Sequence, residues 1–144
     1  MIEQDTIKLL RECDAGIKMG VDSIEDVLDR VRSRDMRRIL SESKKDHDKL
    51  NLEIQEALHR FRDDGKDPNP MAKTMSHMKT GLKMGLDDSD ATIAELMTDG
   101  CNMGVKSLSR YLNQYAAADE ASKDVCKRLI SLEEKLSKDM RDYL

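Results

Sequence analysis

The stretch DDGKDPNP, residues 63–70, decides the fold. Gly65 can adopt a positive φ, and Pro68 and Pro70, the only prolines in the chain, forbid a helix from running through them. A helix entering from the N-terminal side must therefore stop near residue 63. What lies on either side is helical in pattern.

Upstream, Leu40, Ser43, His47, Leu50, Ile54, Ala57 and Phe61 recur at alternating spacings of three and four, which predicts a helix over 35–63. Before it, Leu10, Cys13, Ile17, Gly20, Ile24, Val27 and Val31 keep the same rhythm through a helix over 3–31. Arg32-Ser33-Arg34-Asp35 separates the two with capping residues and a phase break but no Gly or Pro. Downstream, a short helix over 71–84 carries Met71, Met75, Met78 and Leu82 on one face, and Gly85 with the acidic cluster 87–90 interrupts it. A helix over 90–117, with Thr92 and Glu95 as a capping box, turns Met97, Cys101, Val105, Leu108, Leu112 and Tyr115 inward. After Ala118-Asp119, a helix over 120–142 does the same with Val125, Leu129, Leu132, Leu136, Met140 and Tyr143.

Four long amphipathic helices predict an all-α four-helix bundle forming a single domain over 1–144. The low aromatic content of 3% and the charged content of 38% agree with long helices rather than a sheet. The link over 64–89 is 26 residues, long enough to run the length of a helix of roughly 40 Å. It predicts an up-down-down-up bundle with a long crossover containing a short helix.

A net charge of −4 gives no global attraction to nucleic acid or to an anionic membrane. No run of 18 apolar residues occurs, and the N-terminal MIEQDTIKLL lacks a basic segment followed by an apolar one. Three widely spaced cysteines fit free thiols in a reducing compartment. The expectation is a cytoplasmic protein without membrane contact.

The hexapeptide CDAGIK at 13–18 returns as CNMGVK at 101–106. The same offset lays Cys13 on Cys101, Gly16 on Gly104, Ile17 on Val105, Ile24 on Leu112 and Val27 on Tyr115, as a duplicated helical hairpin would. The expected crossover, the Gly preceding an inward position in the first and third helices, and ELMTDGCNMGVKSLSRYL at 95–112 resemble the ferritin-like superfamily. Its small bacterial four-helix members, related to rubrerythrin-type bundles, are the nearest in pattern, over most of 5–143. That resemblance implies a di-iron site built from one Glu on each of two helices and a Glu-x-x-His on each of the others. In such families a Glu commonly follows the Gly that matches Gly16 and Gly104.

The chain departs from that pattern. Ile17 and Val105 occupy the Glu positions, Lys44 stands three before His47, and Glu133 and Glu134 are followed at plus three by Leu136 and Ser137. The fourth helix contains no histidine. A di-metal centre needs roughly six protein ligands, so the expectation is a core repacked without metal or cofactor. The protein would then be non-catalytic and would act through association with a protein partner or with itself as a homodimer, with Met71, Met75, Met78 and Leu82 as the contact surface.

Other constellations admit two readings each. His47 could be a residual metal ligand with nearby acids, or a core histidine satisfied by a hydroxyl or carbonyl. Cys13 and Cys101 could meet across the first and third helices as thiol ligands or a redox pair, or simply pack beside close-approach glycines. His77 between Met75 and Met78 could select Cu(I), or the methionines could form an apolar stripe. Arg30, Arg32, Arg34, Arg37 and Arg38 crowd the first turn, where they could bind an anion or a nucleic-acid backbone, but interleaved Asp29 and Asp35 and the lack of aromatics favour a solvated helix end. No Gly-rich phosphate loop and no nucleophile triad stands out.

Overall fold

Three capping side chains set where the helices begin. Ser33 Oγ accepts a hydrogen bond from the Met36 N–H at 3.2 Å, Ser89 Oγ from the Thr92 N–H at 3.2 Å, and Asp119 Oδ1 from the Ser122 N–H at 2.8 Å. The computed structural model describes residues 2–68 and 89–144. Within them lie four helices: α1 over Ile2–Leu28, α2 over Arg34–Arg60, α3 over Asp90–Gln114 and α4 over Glu120–Met140, followed by a tight turn at Arg141–Tyr143. All four pack against one another, and among the described residues every regular element is helical. The expected short helix over 71–84, with its Met71, Met75, Met78 and Leu82 face, lies outside the described residues.

All four helices end short of the expected limits of 31, 63, 117 and 142, and two boundaries have identifiable reasons. The third long helix is capped by Ser89 and not by Thr92, which sits in its first turn and gives its N–H to Ser89. The second long helix stops at Arg60 because Arg62, at φ 57°, takes the left-handed position that usually falls to glycine. The Arg62 N–H then bonds the His59 carbonyl at 2.9 Å and the Asp63 N–H the Leu58 carbonyl at 3.0 Å, closing the end of α2.

The turns are tied to distant helices. Asp90, at the start of α3, accepts from the Arg32 and Ser33 N–H groups at 2.9 Å each, and Arg37 Nη2 donates to the Val31 carbonyl at 2.6 Å. At the other end, Thr6 Oγ1 accepts from the Asp119 N–H at 2.9 Å and Asp5 Oδ2 from the Ala117 N–H at 3.1 Å. The start of α3 thus lies beside the α1–α2 turn, and the α3–α4 turn lies beside the start of α1.

Burial follows the predicted stripes and divides into two apolar clusters. One gathers Leu10, Ile17, Leu50, Ile54, Leu108 and Leu129 among others; the second gathers Ile24, Val27, Leu40, Met97, Leu136 and Met140. Each fully buried aliphatic side chain contributes on the order of 1.5–3 kcal/mol.

The loop that follows α2 is fastened to α1 by polar side chains. Asp14, fully buried on α1, accepts from the Lys66 N–H at 2.9 Å, Gln55 Nε2 at 2.7 Å and Lys18 Nζ at 3.0 Å. Lys18 reaches on to Asp67 at 3.1 Å, and Lys66 pairs with Glu12. Gly65 makes the approach possible: at φ 86° it takes a conformation costly to other residues, and a Cβ there would stand 2.3 Å from Asp14 Oδ2.

The same substitution should therefore act with opposite sign at two glycines. Gly65→Ala is expected to destabilise the fold by about 2 kcal/mol or more, through the left-handed backbone and the loss of Asp14 hydrogen bonds. Gly100→Ala, in α3 with nothing within 4 Å of the added methyl, is expected to stabilise by roughly 0.5–1 kcal/mol. Urea unfolding of both variants checks this, and equal effects would refute the loop anchor.

Candidate functional site

Between the two apolar clusters, one contact joins polar side chains from different hairpins. His47 lies at an inward position of α2, one turn from Leu50 and two from Ile54, and is 1% exposed. Glu133 lies on α4 between the buried Leu129 and Leu136 and is 8% exposed. His47 Nε2 and Glu133 Oε1 are 3.1 Å apart. The other ring nitrogen, Nδ1, donates to the Ser43 backbone carbonyl at 2.7 Å, with Ser43 Oγ farther off at 3.4 Å.

The remaining two helices close around this pair. On α1, Gly20 supplies the room: a Cβ added there would lie 3.3 Å from Glu133 Oε1 and 3.4 Å from the His47 ring. On α3, a Cβ at Gly104 would meet Glu133 at 3.6 Å, an ordinary contact, and Cys101 faces the same carboxylate. All four helices thus contribute to one layer.

The electrostatics follow from burial and neighbours. Burial lowers the His47 pKa, but the hydrogen bond and charge of Glu133, the Ser43 carbonyl and the charge of Asp46 together outweigh it, and the net direction is upward. Burial is the largest cause that pushes the Cys101 thiol far up, and the Glu133 charge and hydrogen bond add to it, so the free sulfur is a protonated thiol.

His47 therefore meets an acid, Glu133, as one reading of it required, and a backbone carbonyl, that of Ser43, as the other did. Cys13 does not meet Cys101. Cys13 belongs to the first cluster and Cys101 to the second, because α1 and α3 place their repeated segments toward opposite ends of the bundle. Cys13 instead neighbours Cys126, and that thiol, together with burial, holds Cys13 protonated. All three cysteines are free and buried.

The two positions expected to fill a metal cavity differ as well. Ile17 is fully buried in the first cluster, whereas Val105 is half-buried. Among the arginines, Arg30, Arg32, Arg34, Arg37 and Arg38 are exposed at the α1–α2 turn; Arg37 donates to the Val31 carbonyl within that turn and Arg38 lies 3.7 Å from Asp35. Among the described residues, no group of three or more His, Cys, Asp or Glu side chains is arranged to hold a metal ion, and no helix is long and apolar enough to cross a membrane. Comparison with protein families, with curated proteins and with solved structures found no match to this chain.

Glu133 was the residue that pattern reasoning missed. From Leu129 to Leu136 is seven positions, and both Leu132 and Glu133 satisfy the three-and-four spacing. Hydrophobicity selects Leu132, but Leu132 is half-buried and Glu133 buried. A signal did exist: an inward histidine on one helix calls for a polar partner on a facing one.

If the pair is a real coupling, His47→Ala and Glu133→Ala should each destabilise by about 2–4 kcal/mol, since each leaves a buried polar group without its partner. The double variant should cost less than the sum, with a coupling of about 1–3 kcal/mol. Denaturant unfolding of the four proteins measures it, and additivity within about 0.5 kcal/mol would mean that the contact contributes nothing.

Proposed function

We propose that this chain is a non-catalytic helical bundle of ferritin-like, up-down-down-up topology, cytoplasmic, that acts by associating with protein, in the first place with a second copy of itself. One observation carries the reading: the polar layer at the bundle centre is closed on itself. Nε2 of His47 and Oε1 of Glu133 satisfy each other at 3.1 Å with Gly20 packed against both, so this pair serves packing and leaves neither atom open. The topology is supported by the proximity of the α3 start to the α1–α2 turn, which places the two ends of the 61–89 link at opposite ends of the bundle. Buried, unpaired thiols suit a reducing compartment. The contact surface in this proposal is the sequence stripe Met71, Met75, Met78 and Leu82, whose flexible apolar side chains suit a protein interface.

A second reading has its own observation in its favour. His47 and Glu133 converge with Cys101 beside them, which would suit a residual metal or redox role. The hydrogen bond already made between His47 and Glu133, and the lack among the described residues of a group of three ligands arranged for a metal, weigh against it.

Elemental analysis and sedimentation together decide between them. Protein from iron- and zinc-supplied cells is expected to carry metal well below one equivalent and to sediment as a dimer that Met75→Gln with Met78→Gln converts to monomer. Metal near one equivalent that disappears in His47→Ala would establish the second reading. A monomeric wild type, or an unaltered dimer in the double Gln variant, would remove the proposed surface.

A further inference from the structure

The His47 ring is contacted at both nitrogens by oxygen. The Ser43 backbone carbonyl, 2.7 Å from Nδ1, can only accept, so Nδ1 carries a hydrogen. In a neutral imidazole Nε2 is then bare, and at 3.1 Å a carboxylate oxygen would face it lone pair to lone pair. The contact becomes attractive when one more proton is present, either on Nε2, giving imidazolium and carboxylate, or on Glu133, giving a neutral acid that donates to Nε2. Both arrangements hold the same number of protons, so the proton belongs to the pair rather than to either residue.

We propose that the His47–Glu133 pair binds one proton in the native bundle and, as a protonated unit, clasps the α1–α2 hairpin to the α3–α4 hairpin, so that the bundle loosens as pH rises. The pair is placed for this because its two members belong to different hairpins and each is at least nine-tenths buried. Removing the proton leaves a buried carboxylate opposite a bare ring nitrogen, in surroundings that strengthen every unfavourable contact.

The groups that face the pair leave this direction intact. From α2, the Asp46 charge favours a protonated ring. From α3, the Cys101 thiol stays protonated and stands toward Glu133. From α1, the contact is Gly20, which has no side chain to titrate. With the folded pKa above the unfolded histidine value of about 6.5, the stabilisation is complete below about pH 6.5 and is lost as pH rises through the folded value. The device is independent of whether the bundle associates.

The test follows urea unfolding of the full chain from about pH 6 to about pH 9, in wild type, His47→Gln and Glu133→Gln. The wild-type folding constant is expected to fall with a slope approaching tenfold per pH unit between the unfolded and folded pKa values, the mark of one proton released on unfolding, and both variants should lose that slope. A slope that persists unchanged in both variants would overturn the proposal. Should either variant fail to fold, the imidazole resonances of the wild type decide: a His47 titration midpoint above about 6.5 supports the clasp, and one at or below it refutes it.

Discussion

The contact between His47 and Glu133 is the constraint around which the bundle is arranged. An apolar cluster tolerates small rotations and slides of its helices, because aliphatic side chains repack with modest loss. A hydrogen bond of 3.1 Å between buried groups does not, since a shift of an ångström leaves two desolvated polar groups unmatched. With Ser43 fixing one edge of the ring and Glu133 the other, the rotation of α2 and the axial register of α4 are set together. Gly20 suits that placement, because an added methyl at that depth would press on both members of the pair and ask them to give by a few tenths of an ångström.

A second polar centre governs the exit from α2. Asp14 accepts three hydrogen bonds at the surface where the loop over 61–68 lies against α1, and Gly65 allows the backbone to come that close. Asp14 belongs to the first copy of the repeated hexapeptide. The matching residue of the second copy, Asn102, is exposed and accepts a long 3.5 Å bond from Ser137. Lys18 bridges Asp14 and Asp67, while its counterpart Lys106 is exposed. The two copies thus share a sequence and a helical rhythm but not their polar partners.

That division explains what could be read from the sequence. The four long helices followed from spacing, because the three-and-four rhythm is a direct imprint of a buried face, but their C-terminal limits did not. Ser33 was legible among the capping residues of 32–35, whereas Ser89 lost to Thr92 because a capping-box pattern begins one turn later. Polar burial was not legible. A spacing rule ranks candidates by hydrophobicity, so it prefers Leu132 to Glu133 and leaves Asp14 on the surface. Which helix glycine matters was equally hidden: Gly16 and Gly104 would meet an added methyl at 3.6 Å or more, and the tighter position within the described helices is Gly20, which the repeat does not mark. These features depend on which side chain of another helix stands opposite, and that is a tertiary fact.

A bundle of this size does not need a buried polar pair to be stable. Two apolar side chains of equal volume at positions 47 and 133 would avoid the desolvation of imidazole and carboxylate and would hold the helices at least as firmly. What they would lack is direction and protonation. Leucine against leucine has no preferred edge, so alternative registers of the two hairpins would lie closer in energy, whereas an Nε2 that must find an Oε1 separates one register from its neighbours. The same requirement makes that register sensitive to a proton, because the bond that selects it exists only when the pair holds one. Specificity of packing and response to pH are therefore two consequences of the same atoms, and neither can be altered at His47 or Glu133 without the other.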